Sequence, residues 1–187
     1  MDQGAERVLG SIRRECDRAA RIISDLLTSS RQQPLKRQEV DLNFIITETM
    51  ELEEKAWAGD VEWTLDLAEG LPTVSADPDQ LRQVLGNLVA NARQAMADSE
   101  LRSGCIRTYL AKTGVGCEVT DSGPGIHPDA LGKVFEPFYT TKVVGEGTGL
   151  GLAISHGIIE AHGGTINATN VQGGGAKFCF ELHRHAG

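Results

Sequence analysis

The stretch GEGTGLGLAIS, Gly145 to Ser155, decides the reading of this chain. Glycines stand at Gly145, Gly147, Gly149 and Gly151, and the pattern then turns helical through Leu152, Ile154, Ile158 and Ile159. Glycine tolerates positive φ and lets the backbone approach a ligand closely. A helix that starts straight after such a loop presents free N–H groups to whatever lies in front of it, which makes a ready phosphate site. A flexible surface loop before an ordinary helix gives the same pattern. Two other phosphate loops are absent: GxxxxGK followed by Ser or Thr occurs nowhere, and the glycine spacing does not give GxGxxG.

Around this stretch the chain has 187 residues, 40% of them hydrophobic, enough for one domain of ordinary size plus an appendage. A net charge of −8 offers no basic footprint for nucleic acid. No apolar run approaches the roughly 18 residues that span a membrane. The start, MDQGAERVLG, has no apolar signal region. Cys16, Cys105, Cys117 and Cys179 are widely spaced with no CxxC pair, which argues against a zinc site or a disulfide framework. Buried free thiols in a reducing cytoplasm are the expectation.

Residues 4–31 read as one long helix with an a/d seam of Leu9, Ile12, Cys16, Ala19, Ile23 and Leu26. Such a helix cannot bury its stripe alone. Its partner is either the rest of the chain or the same helix of a second copy. Residues 34–40 read as a linker after the break at Pro34. A second helix is expected from Asp41, its N-cap, to Trp57, with Leu42, Ile45, Ile46, Thr49 and Leu52 inward. Val61–Leu67 alternates like a strand, and EGLPTVSADP reads as loop. Asp77 caps a third helix, Pro78 to Asp98, striped by Leu81, Val84, Leu85, Leu88, Ala92 and Ala95. Asn87 and Asn91 lie one turn apart on one face of it. Asn is a mediocre helix former, so a mid-helix pair is either assigned a task or simply faces solvent.

Two strand-like runs follow, from Cys105 and from Gly114, as a hairpin around Lys112–Gly116. The second runs into DSGPGI, Asp121 to Ile126, which sets a carboxylate on a sheet rim with bare backbone beside it. A short helix in HPDALGKVF and the run EPFYTTK lead to the glycine loop. GGTINATN and AKFCFELH close the chain as a hairpin through Gly173–Gly175, glycines that a turn explains.

The order NLVANARQAM, DSGPGI about 30 residues later, FEPFYTTK, GEGTGLGLAIS and GGGAKFCF resembles the catalytic ATP-binding domain of bacterial sensor histidine kinases. That domain belongs to the wider family of gyrase, Hsp90 and MutL. The resemblance covers about residues 40–184, and NARQAM with EPFYTTK is closest to the nitrogen- and oxygen-sensing kinases. It implies a two-layer α/β (α+β) sandwich of the Bergerat type with a mixed sheet, preceded by a long N-terminal helix. By the same resemblance, residues 1–33 look like part of the dimerisation and phosphotransfer hairpin, 34–40 like a linker and 41–187 like the catalytic domain.

The resemblance also implies the site. ATP or ADP lies between the Asn-bearing helix and a lid. Asn91 ligates Mg²⁺ through its amide oxygen, with Asn87 supporting phosphates or metal. Asp121 accepts the adenine amino group, and Gly123, Gly125 and Ile126 frame the base. Thr141 and Lys142 belong to the segment entering the lid, where Lys142 meets phosphate; Asn91 and Lys142 are the catalytic pair. Gly147, Thr148, Gly149, Leu150, Gly151 and Leu152 line the triphosphate, with Leu150 closing over it. A hard cation wants oxygen ligands, and Mg²⁺ keeps several waters while bridging phosphates, so one neutral amide suits it.

Two departures stand out. The family often has Lys or Arg three residues after the metal-binding Asn; here Gln94 stands there, which leaves Arg93 or Lys142 to neutralise phosphate. The family's acceptor His followed by an acid is missing, since the first His is His127 and His156, His162, His183 and His185 follow it. The sequence is therefore expected to be half of the phosphotransfer hairpin plus the whole ATPase-like domain, which does not autophosphorylate alone. The expected partners are a phosphoacceptor hairpin, a response regulator and a second copy of the chain through the first helix, with no nucleic acid. A cytoplasmic location is expected, with membrane attachment of the parent left open. A water-activating ATPase of the wider family is disfavoured because Asn87 stands where its hydrolases carry a Glu, and Asn cannot take a proton. A nucleotide-sensing module without catalysis is the other alternative.

Overall fold

The computed structural model describes residues 35–57, 60–141 and 148–184. The long first helix, Lys142, Gly145, Gly147 and His185 lie outside the described residues. The chain proceeds through β1 (Gln38–Val40), α1 (Leu42–Trp57), β2 (Glu62–Asp66), β3 (Val74–Ala76) and α2 (Pro78–Ala95). Then come β4 (Ser103–Leu110), β5 (Gly114–Asp121), α3 (Pro128–Leu131), α4 (Gly151–Ala161), β6 (Thr165–Asn170) and β7 (Ala176–His183).

Five strands form one mixed sheet in the order β2-β4-β5-β7-β6. Only β2 and β4 run parallel; the other pairs are antiparallel. Side chains alternate across a sheet, and here one face is apolar. Ile106, Val119 and Phe178 stand in one row of cross-strand partners, with Cys117 beside Phe180 in the next. That face meets Leu42, Ile45 and Ile46 of α1, Leu81, Leu85 and Leu88 of α2, and Ile158 and Ile159 of α4 in a single core. The opposite face is polar. There the Tyr109 hydroxyl donates to Glu181 Oε1 at 3.0 Å and lies 3.0 Å from Cys179 Sγ. Lys177 pairs with Glu118 at 3.1 Å. Two layers therefore suffice: the helices cover the face that needs covering.

Local signals explain the helix starts. Asp41 Oδ1 accepts from the N–H groups of Asn43 (2.9 Å) and Phe44 (3.3 Å). Asp77 Oδ1 accepts from Asp79 and Gln80 N–H, with Pro78 in the first turn where a missing N–H costs nothing. Asp77 also ties distant segments together. Its Oδ2 accepts from Lys36 N–H at 3.0 Å, and its own N–H donates to His162 Nε2 at 2.9 Å. Arg37 donates to the carbonyls of Ser75 (3.0 Å) and Ala161 (2.9 Å), joining the strand before α1 to β3 and to the end of α4.

The structure differs from the sequence reading at four places. Residues 38–40, read as linker, pair with residues 74–76, read as loop, in a small antiparallel ladder. Leu52 is 64% exposed, and Met50 takes the inward position instead at 3%. Past Met50 the helix overhangs its neighbours, so Glu51, Leu52, Glu54 and Lys55 all face solvent. The third helix ends at Ala95 rather than Asp98, closed by Met96 N–H donating back to Ala92 and Arg93. HPDALGKVF is helical only over Pro128–Leu131.

Candidate functional site

The flank of α2 not committed to the core organises the site. Its buried stripe is Leu81, Val84, Leu85, Leu88, Val89 and Ala92. Asn87 and Asn91 stand beside that stripe, half-buried. Asn87 Nδ2 donates to the Gly151 carbonyl (3.0 Å) and to Ser155 Oγ (3.3 Å), while Ser155 Oγ–H donates to the same carbonyl (2.9 Å). A carbonyl only accepts, so the orientation of this amide is fixed: nitrogen toward α4, Oδ1 turned away from it.

Gly151 opens α4, and the helix start carries no side-chain cap. Its first N–H groups are therefore available to an anion. Just before it, Gly149 sits at φ 67, and a Cβ there would fall 2.5 Å from the Phe138 carbonyl carbon. Phe138 N–H donates to Gly149 O at 2.9 Å, and Phe138 itself has φ 65. The EPFYTTK run thus crosses the end of the glycine loop at a point where only glycine fits. Thr148 Oγ1 accepts from Leu150 N–H at 3.3 Å. Leu150 is buried at 5% exposure in the core, Leu152 packs against that core, and Thr141 is exposed.

At the other end of α2, Asp121 closes β5 at 4% exposure. Its Oδ1 accepts from Gly123 N–H (2.9 Å) and Ala176 N–H (3.2 Å). Among the described residues no hydrogen bond reaches Oδ2. Burial pushes this carboxyl above the usual range, and the two backbone donors pull the other way. Gly123 leaves no room for a side chain: a Cβ would lie 2.9 Å from Asp121 Oδ1 and 3.0 Å from the Ala95 carbonyl. Asn87 and Ala95 are about 12 Å apart along the helix. The Asp121–Gly123 turn and the uncapped helix start therefore lie near opposite ends of this stretch of α2, with Asn91 midway along it.

Two of the site glycines meet α2 directly, Gly151 through Asn87 and Gly123 against the Ala95 carbonyl, while Gly125 lies against Asn170 and Gly149 against Phe138. The structure takes Arg93 away from the site. Arg93 pairs with Asp60 at 3.3 Å and lines a hollow with Met50 and Trp63 against α1 and β2, so it does not serve phosphate. Ser155 and Asn170 carry structure here that the sequence reading did not assign. Each is a polar residue with a partner far away in the chain, Asn87 for Ser155 and Ile126 for Asn170, and no local pattern marks them.

The histidine kinase-, DNA gyrase B- and HSP90-like ATPase model matches residues 76–186. The chain belongs to that ATPase family. Within it, the sensor histidine kinase ZraS of Escherichia coli K12 is 41% identical over 172 residues, covering 90% of this chain and 36% of ZraS. Histidine kinase ThkA, solved in complex with the response regulator TrrA, superposes with a TM-score of 0.80 at 32% identity, covering 98% of this chain and 52% of ThkA. Full-length ShkA, solved in complex with AMPPNP, gives 0.79 at 29% identity over 97% of this chain and 39% of ShkA. This ATPase is thus the ATP-binding catalytic domain of a two-component sensor histidine kinase. No helix among its described residues is long and apolar enough to cross a membrane.

Proposed function

We propose that the chain holds Mg-ATP along α2 and passes the γ-phosphate to a histidine on a phosphotransfer hairpin. The observation that carries this is the Asp121 carboxylate, with Oδ1 satisfied by two backbone N–H groups and Oδ2 without a hydrogen bond from any described residue. The adenine amino group is a donor suited to it. Guanine puts a carbonyl oxygen there, and two acceptors facing each other in a dry site cost about 1–3 kcal/mol.

The donor set also fits the metal. Among the described residues no group of three or more His, Cys, Asp or Glu side chains is placed to hold an ion. A metal here is bound mainly by phosphate oxygens and water, which suits Mg²⁺. Asn91 would supply the protein ligand, and Asn87 Oδ1, oriented by the bond of Nδ2 to Gly151, would support the phosphates or the ion. Mg²⁺ neutralises the charge that develops on the transferred group. The uncapped start of α4, with Gly147, Thr148 and Gly149 before it, takes the phosphates, and Lys142 adds a cation at the lid. No side chain in this set takes a proton from water, so transfer to a positioned histidine is favoured over hydrolysis. A response regulator then receives the phosphoryl group, as the association of ThkA with TrrA suggests.

Calorimetric titration with Mg-ATP and Mg-GTP tests the reading. Wild type should prefer ATP, and Asp121→Asn should lose that binding, since its amide presents a donor to a donor. Equal affinity for the two nucleotides would sink the adenine assignment. Supplying a separate hairpin fragment with its histidine should yield acid-labile label from γ-labelled ATP, and Asn91→Ala should abolish it.

A further inference from the structure

A loop such as Asp121–Ile126, with two glycines around a proline, does not position itself. Gly125 sits at φ 79, and Gly123 is tied only back to Asp121 within the loop. Ser122 ties the near end to Ser103 and Leu101, and the far end is fixed by the β6–β7 hairpin. Asn170 Oδ1 accepts from Ile126 N–H at 2.7 Å, and Asn170 Nδ2 donates to Ile126 O at 2.7 Å. The side-chain amide thus copies a strand rung, one acceptor and one donor matched to one residue's backbone. At the near end of the loop, Ala176 N–H donates to Asp121 Oδ1. Asn170 and Ala176 face each other as the last rung of the β6–β7 ladder.

One rung therefore grips both ends of the loop. The approach is close enough to explain two glycines. A Cβ on Gly125 would come within 2.9 Å of Asn170 Oδ1, and one on Gly175 within 1.9 Å of the Asp121 carbonyl. Gly173, Gly174 and Gly175 all have positive φ, and Val171 N–H donating to Gly175 O at 3.0 Å closes their turn. The three glycines are thus part of the site's frame as well as a hairpin turn.

We propose that Asn170 is a positioning residue for the nucleotide base: by holding Ile126 it sets the Gly123–Ile126 backbone at the distance an adenine needs beside Asp121. This rests on the nucleotide reading given above. Asn170 touches no reacting atom. It is exposed, so its bonds compete with water and add little to global stability. Its effect falls on the order of one loop.

Asn170→Ala tests this. It is compared with wild type by calorimetric titration with Mg-ATP, by competition with Mg-tripolyphosphate, which has no base, and by hydrogen exchange. ATP affinity should fall about tenfold, equivalent to losing the pair of bonds. Tripolyphosphate affinity should not change. The Ile126 amide should exchange faster, while the Val119 amide, in the middle of β5, keeps its protection and reports an intact sheet. ATP affinity within about twofold of wild type, or equal losses for ATP and tripolyphosphate, overturns the proposal. Asp121→Asn separates the two readings. If that variant binds ATP as wild type does, the adenine assignment itself fails. If it loses ATP while Asn170→Ala does not, only the role of Asn170 fails.

Discussion

Asp121 and His162 are both buried ionisable residues, and their shifts act in opposite senses on pH behaviour. Burial raises the Asp121 carboxyl above its usual value. The folded protein then holds this proton more tightly than the unfolded chain does. Its contribution to stability declines as pH rises through the interval between the unfolded and folded values. For binding the ionised form is the one needed, since a neutral carboxyl can present a proton where the adenine amino group requires an acceptor. ATP affinity should therefore fall on acidification from a higher pH than an ordinary aspartate would dictate, and titration calorimetry across mildly acidic pH checks it. His162 works the other way. At 6% exposure it accepts from Asp77 N–H at Nε2 and donates from Nδ1 to Ile158 O at 2.7 Å, so it is neutral in this arrangement. Burial lowers its value from 6.5, and the Arg37 charge acts in the same direction. Protonation would set a second N–H against that of Asp77. The unfolded chain takes the proton first, so stability is lost as pH falls from 6.5 toward the folded value. The thermal midpoint should drop over that interval in wild type and stay flatter in His162→Gln. The role of Asp121 was read from DSGPGI in the sequence; that of His162 was not legible there. His162 sits in a helix end like any surface histidine, and only the fold brings Asp77 to it.

The elements that build the site were mostly readable because they repeat local signals. Asp77 with Pro78, the apolar stripe of α2 and the alternation of β5 and β7 each announce one element within a few residues. The short pair β1 and β3 was not readable. Three residues carry too little pattern, and their partners are more than thirty positions apart in sequence. Leu52 fails for a related reason: its helix phase is close to that of the inward residues, but no described residue covers it. Contact between α2 and α4 was half legible. Asn87 was marked by its type, and Ser155 was not marked at all. Ser155 is fully buried, accepts from Asn87 and donates to Gly151 O. Ser155→Ala should cost about 1 kcal/mol in urea unfolding, the net value of a hydrogen bond. Leu88→Ala, at the centre of the same helix, should cost about 2–5 kcal/mol because it leaves a cavity in the core. A larger loss for Ser155→Ala than for Leu88→Ala would mean that the polar contact, rather than packing, holds α2 against α4.

For the molecule as a whole, the resemblance between the five boxes and one ATPase family implied the mixed α/β sandwich that the structure has. It could do so because the five boxes run in one order from α2 to β7, through most of the sheet and its helices. The seam of the first helix is a separate matter, lying outside the described residues. Its apolar stripe should drive pairing of two copies. Light scattering should find a dimer for wild type and a monomer for Ile12→Asp and Ile23→Asp. A monomeric wild type would place the stripe on its own domain. The join between that segment and the ATPase domain has a mechanical meaning. The β1–β3 ladder has three rungs, and a chain drawn outward from its first residue opens such a ladder like a zipper, one rung at a time. Arg37 stands ahead of the first rung, Gln38 opposite Ala76, and is fastened to Ser75 and to Ala161. Tension arriving along the chain would thus meet the Lys36–Asp77 bond and then the Arg37 side chain before it meets the strand. Through Ala161 the load enters α4 as a strut of 11 residues, about 16 Å long. The far end of that strut is Gly151, where Asn87 holds on and the glycine loop ends.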